Sequence, residues 1–347
     1  MARRPRQRDI ARLAGVSQTT VSLTLNGKTA EHGINSETEQ KIMAAARQLG
    51  YVPNVTARAL RGGRNGLIGV HSFEPLFPTS AGSYYAEMMV GIEQQAIGSG
   101  QDLVIFTSIH QDEGPATIFH EGRNRLRIAD GAIILGFDQH DDELARLAAD
   151  GFPFVFIGRR EQAAALMPYV TADYDAAVRD VVRRLHENGH RDVVYVGVPD
   201  HAEPRVERRV AFRAACAELG LTIVDEMLVA PADLDAERLT RVLDAGATAA
   251  VGEGVASLER IAQLCAGLGV DIPGRLSVVG LDSIDTATHP WTHFEVPRRA
   301  IGARAVTLLL EVLDGRHELT HHERLPCPFE PGATLAPAPE SPLASPA

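Results

Sequence analysis

Only three cysteines, Cys216, Cys265 and Cys327, occur in 347 residues. They are odd in number, widely spaced and in no CxxC pair. That excludes a disulfide-stapled scaffold and a zinc cluster, and fits a reducing compartment. No apolar run reaches the roughly 18 residues that suggest a membrane span. The basic start (Arg3, Arg4, Arg6, Arg8) leads into no apolar segment, so it does not read as a secretory leader. Catalytic signatures are missing as well: there is no GxSxG elbow, Walker loop, HExxH or Gly-rich dinucleotide fingerprint. His71, His110 and His120 share no ligand spacing, and His321-His322 falls in a polar stretch. The expectation is a cytoplasmic chain that is not an enzyme and uses no metal or cofactor.

Charge is unevenly spread. Residues 1–64 hold 11 Lys/Arg against 4 acids, a net of +7, whereas the remainder carries −18. A small basic head on a large acidic body points to a polyanionic partner at one end only.

The head reads as short helices. Arg8–Ala14 carries Ile10, Ala11, Leu13 and Ala14, and Gly15-Val16 interrupts it. Ser17 is a good N-cap for a second helix to about Leu25, which Asn26-Gly27 stops. Ser36 can cap a third, Glu37–Leu49. Two short helices joined at Gly15-Val16 make a helix-turn-helix. Small Ala11 and Ala14 permit a close crossing, and Gln18 and Thr19 would face the major groove, where amides and hydroxyls can read base edges.

From Leu67 onward, apolar runs (Leu67–Val70, Asp102–Phe106, Gly131–Leu135, Pro153–Ile157, Asp192–Gly197, Ala249–Gly252, Ser277–Leu281) alternate with helical stretches. These stretches include Ala86–Ile97, Ala116–Arg127, Tyr174–Asn188, Val206–Leu219 and Val255–Leu268. Such alternation means parallel sheets covered on both faces. The elements are too many for one open sheet. The expected fold class is therefore α/β: a small all-α head plus a core of two doubly wound parallel-sheet lobes. The domains read as a 1–52 head, a 53–65 hinge and linker, a 66–335 core and a Pro/Ala/Ser-rich 336–347 tail expected to be disordered. The lobe break is expected near 163–170 and the crossover back near 285–298.

The segments DIARLAGVS, TTVS, LNGK, INSETEQKI, LGYVPN, ARALRGGR and LIGV follow one another in this order. In this the chain resembles the LacI family of bacterial transcription regulators over about residues 7–334. The resemblance implies a periplasmic-binding-protein-like core. It also implies a ligand-responsive repressor that binds a palindromic operator as a homodimer or tetramer, with a sugar or sugar derivative as effector. The alternative is a small-molecule (sugar) binding protein without regulatory DNA binding.

By the same resemblance Gln18 and Thr19 are base-reading positions, and Thr20 and Ser22 touch phosphate. Leu23 stands where several members place a base-contacting arginine. Ser17, Asn26, Tyr51, Asn54, Ala57 and Arg58 complete the implied DNA-binding set with Leu60, which matches a leucine that wedges into the minor groove. An apolar wedge there would kink the duplex.

In open α/β sheets ligands bind beyond the carboxyl ends of strands. Phe73, Glu74 and Ser83, in the long loop after the first strand, are candidate pocket residues. Asp173 opens the second lobe. Arg208 and Glu253 match effector-binding positions of the family, although Glu253 stands for an aspartate and Gly252 for the asparagine before it. Asp282 either meets ligand or braces the hinge. Trp291 is either core or a stacking face for a sugar ring.

Overall fold

A computed structural model describes residues 5–25, 29–51, 64–74, 85–107, 117–137, 140–160, 167–284, 290–317 and 320–339. The chain divides into a unit of residues 1–65 and a unit of residues 66–347.

The described part of the first unit contains three helices, α1 (Gln7–Ala14), α2 (Gln18–Leu25) and α3 (Ser36–Gln48). Ile10, Ala11, Val21, Ile42, Ala45 and Ala46 form its core. Gly15 ends α1 in the left-handed conformation, φ 69°, which only a residue without a Cβ adopts cheaply. The cap of α3 differs from expectation. Asn35, not Ser36, fills it, its side-chain oxygen accepting from the Thr38 amide at 2.8 Å.

The second unit runs β1 (Leu67–Ser72), α4 (Ala86–Gly98), β2 (Asp102–Phe106), β3 (Phe119–His120), β4 (Arg123–Asn124), β5 (Gly131–Leu135), α5 (Asp141–Ala149), β6 (Phe154–Ile157), β7 (Tyr169–Ala172), α6 (Tyr174–Glu187), β8 (Asp192–Gly197), α7 (Glu203–Leu219), β9 (Thr222–Leu228), α8 (Ala236–Asp244), β10 (Ala249–Gly252), α9 (Val255–Leu268), β11 (Ser277–Gly280), β12 (Thr292–Phe294), α10 (Arg298–Leu313), β13 (His322–Leu325) and β14 (Phe329–Glu330). Two six-stranded sheets result, ordered β13-β7-β6-β5-β1-β2 and β14-β12-β11-β10-β8-β9. Only the β12–β14 pair in them is antiparallel.

Both faces of each sheet are covered, which explains the continuous apolar strands. In the first sheet Ile68, Val70, Ile133 and Val155 meet α4 and α10, while Ala132, Ile134, Phe154 and Phe156 meet Leu144 and Leu147 of α5. In the second, Val193, Tyr195 and Val251 face α6 and α7, and Val194, Ala250 and Val278 face α8 and α9. Helices α4 and α10 cross at reciprocal glycines. A Cβ on Gly91 would stand 2.0 Å from the Arg299 carbonyl oxygen, and one on Gly302 would stand 2.1 Å from that of Met88.

The chain passes between the sheets three times: after Ala172, between Phe294 and Arg298, and between Leu325 and Phe329. The first passage lies beyond the expected 163–170 because Tyr169–Ala172 still belong to the first sheet. Two further expectations are corrected. The stretch expected as a helix over Ala116–Arg127 folds, where described, as the β3–β4 hairpin and a short 3-10 turn, Arg125–Ile128. Glu121 and Gly122 both have positive φ, 49° and 76°, the two-residue turn that fits a hairpin. The tail is not loose from Ala336. Its amide donates to Ser277 Oγ at 3.1 Å, its carbonyl accepts from His190, and the Ala338 amide donates to the Asn188 carbonyl at 2.8 Å.

Candidate functional site

In the first unit, the turn between α1 and α2 is built locally. The Val16 amide donates back to the Ala11 carbonyl at 3.0 Å. Ser17 caps α2, its Oγ accepting from the Thr20 amide at 3.0 Å and pairing with the Thr20 hydroxyl at 2.8 Å. The cap thus occupies Ser17 and Thr20 and leaves Gln18 and Thr19 exposed on the first turn. Ser22 and Leu23 are half-exposed, while Val21 and Thr24 are buried. Tyr51 packs half-buried against the head's core. Near the start of α1, Arg8 and Arg12 are exposed. The Arg6 backbone amide, with Arg12 behind it, holds the Asp9 carboxyl below its usual range. Asn26, Asn54, Ala57, Arg58 and Leu60 lie outside the described residues, as does Ser83.

In the second unit, a cleft opens where the carboxyl ends of β5, β6 and β7 face the start of α7. Tyr85, Met88, Phe137, Thr171, Tyr174, Glu203 and Pro204 are among its walls. Tyr85 and Phe137 stack with centroids 5.5 Å apart. Glu74 fixes both, accepting from the Tyr85 hydroxyl at 2.7 Å and the Phe137 amide at 2.6 Å. Phe73 does not line the cleft; it is buried against His71 and stacked on His140 at 4.0 Å. Arg160, 4% exposed, pins the β5 loop through the carbonyls of Gly136 at 2.7 Å and Phe137 at 2.8 Å. Arg159 reaches across to Glu207 on α7 at 3.0 Å.

Behind Tyr174 lies a buried polar knot. Arg208, 3% exposed, sits 5.2 Å below the Tyr174 ring. It donates to the carbonyls of Pro204 at 3.0 Å, Glu253 at 3.4 Å and Leu281, and stands 3.6 Å from the Asp282 carboxylate. Burial works against its charge, but Asp282, Tyr174, Tyr195 and Glu253 outweigh it and hold the guanidinium pKa above its ordinary value. Glu253, also buried, accepts from the Tyr195 hydroxyl and the Val198 amide. Burial and Glu253 together push the Tyr195 phenol upward, so it stays protonated. Asp282 accepts from the Ser283 amide and from Arg298, the first residue of α10, and so ties the second sheet to a helix of the first lobe. Asp173 caps α6 through the Ala176 amide at 3.3 Å.

The fold therefore gathers Arg208, Glu253 and Asp282 into one knot, with Asp173 at the neighbouring passage and Glu74 across the cleft. Trp291 goes elsewhere: it is 4% exposed and packs with Leu258, Val278 and Ile284 in the core of the second lobe. Of its two readings, the core holds. Tyr85, Phe137, Arg159, Arg160 and Tyr174 were not singled out in the sequence. Four of them directly follow apolar strands, the position at which doubly wound sheets place ligand groups.

The sequence profile described as "Bacterial regulatory proteins, lacI family" matches residues 8–54, and that of a "Periplasmic binding protein-like domain" matches residues 182–335. A regulator described as "Uncharacterized HTH-type transcriptional regulator in aml 5'region" from Streptomyces limosus is 31% identical over 337 residues, 88% of each chain. Among solved structures, a Lac repressor dimer bound to operator and the anti-inducer ONPF superposes with a TM-score of 0.70 at 21% identity, covering 96% of this chain and 100% of that one. A complex of the regulator CelR with cellobiose gives 0.63 at 23% identity, covering 95% and 100%.

Proposed function

Since the chain belongs to the lacI family of bacterial regulatory proteins and is a helix-turn-helix transcriptional regulator, we propose that it is a cytoplasmic, non-enzymatic repressor that binds a palindromic operator as a homodimer and responds to a saccharide. The observation that carries the reading is the joining of two parts in one chain. A basic head exposes Gln18 and Thr19 on a capped helix, and a two-lobed core carries a cleft at its strand ends. A sugar-binding protein without regulatory DNA binding would have no use for the first part.

Gln18 and Thr19 read base edges, Thr20 and Ser22 position the head on phosphate, and residues 53–65 form the hinge that enters the minor groove with Leu60. In the cleft, Tyr85 and Phe137 offer aromatic faces to a sugar ring and Glu74 holds them in place. The CelR complex with cellobiose places a saccharide on the same fold. Beneath this site Asp282, backed by Arg208, pairs with Arg298 of the first-lobe helix α10, so effector binding and lobe closure are linked there. No helix among the described residues is long and apolar enough to cross a membrane.

The test is an operator titration of the full chain, repeated with a panel of mono- and disaccharides. One saccharide is expected to change operator affinity by at least about fivefold, the lower end of ordinary allosteric coupling. Specific operator binding that no saccharide alters would overturn the effector assignment alone. Absence of any sequence preference would overturn the repressor reading.

A further inference from the structure

Helix α2 reads QTTVSLTL and contains no charged residue. It therefore cannot form the arginine or lysine fork to guanine that is the commonest specific contact in the major groove. At 100° per residue, Gln18, Thr19, Ser22 and Leu23 occupy one arc, and the buried Val21 and Thr24 lie on the other side.

Leu23 is the odd member of this arc. It is half-exposed. The partly buried apolar side chains that pack on the head's core are Ala14, Val16, Leu25, Leu49 and Tyr51, and Leu23 is not among them. It follows Thr19 by one helical turn, so its branched end lies beside the Thr19 side chain on the helix surface. The polar reading face thus contains one apolar spot. The major groove offers one apolar feature that tells base pairs apart, the C5-methyl of thymine.

We propose that Leu23 reads a thymine methyl. One base pair in each operator half-site is then chosen by apolar contact rather than by hydrogen bonds. Any base carrying a methyl at the same place, 5-methylcytosine included, satisfies the contact. This rests on the operator-binding reading above and specifies the chemistry at one position of it. Burying a methyl group contributes roughly a fourfold change in affinity per half-site, and about fifteenfold when both half-sites change.

The test uses the full-length protein. Binding sites are first selected from random duplexes with wild type and with Leu23→Ala. Operators are then made with uracil, which lacks the methyl, in place of each thymine in turn. The variant is expected to lose preference at one symmetry-related pair of thymines. Uracil there weakens wild type by about fifteenfold when both sites carry it and leaves Leu23→Ala unaffected, and 5-methylcytosine outcompetes cytosine at the same place. The uracil series with wild type decides the matter even where the variant folds poorly. Uracil tolerated at every thymine, or an equal uracil effect in wild type and variant, overturns the proposal while operator binding stands. A selection that enriches no sequence overturns the operator reading and this contact with it.

Discussion

Replacing Arg208 by alanine tests whether this buried guanidinium is first a structural clamp. It donates to the carbonyls of Pro204, Glu253 and Leu281, and has Asp282 3.6 Å away. Truncation removes donors from the ends of two neighbouring strands in a site that is 3% exposed. A hydrogen bond to a charged group contributes about 1.5–3 kcal/mol, and breaking a buried pair costs about 3–5. Asp282 keeps Arg298 as a partner, so its charge is not orphaned and the low end applies. The expected loss is therefore about 3 kcal/mol, or roughly 6–12 °C in melting temperature for a core of this size. Trp291 is the only tryptophan and lies in the second lobe's core, so its fluorescence follows this lobe without interference from the head. Arg208→Lys is expected to recover only part of the loss, because an ammonium cannot span three carbonyls as the guanidinium fork does. If Arg208→Ala melted within about 1 °C of wild type while losing its response to effector, the clamp would be refuted, and Arg208 would act on ligand alone.

Three other perturbations follow from the packing. Gly302→Ala puts a methyl 2.1 Å from the Met88 carbonyl oxygen, so α4 and α10 must separate. A loss of about 3 kcal/mol, the upper end of overpacking costs, is expected in urea unfolding, and wild-type stability would refute the close crossing. Burial, assisted by Arg125 and His140, pushes the His71 imidazole down to about 4. The unfolded chain then binds the extra proton first, so stability falls as pH drops from about 6.5 to 4, by about 3 kcal/mol in total. His71→Phe should flatten that part of the stability–pH curve. Ser17→Ala removes the cap of α2 and should cost the head about 1 kcal/mol, seen as faster amide exchange at Thr20 and its neighbours.

The head was legible in the sequence because its signals are local. A capping serine, a glycine at the turn and a short apolar period each act within a few residues, and Ser17 and Gly15 sit where that logic puts them. Central strands such as Gly131–Leu135 were equally plain, since burial on both faces leaves a continuous apolar run. One edge strand was not. Thr222–Leu228 carries Asp225 and Glu226 and is only partly buried, so it lacks that signature. Glu121-Gly122 looked helical in its surroundings, yet two positive φ angles turn the chain into a hairpin.

The cleft divides the same way. Sequence alone marked Arg208, Glu253 and Asp282 one by one, the first within α7 and the other two after different strands. Only the tertiary fold brought them into a single knot, because their meeting depends on strand order and on where α10 returns to the first lobe. The fold also sent Trp291 into the core and Phe73 beneath the cleft wall, and placed Tyr85 and Phe137 there instead. A side chain's type and spacing fix which face of its own element it takes. What that face meets is set by contacts between segments far apart in the chain, which no local pattern encodes.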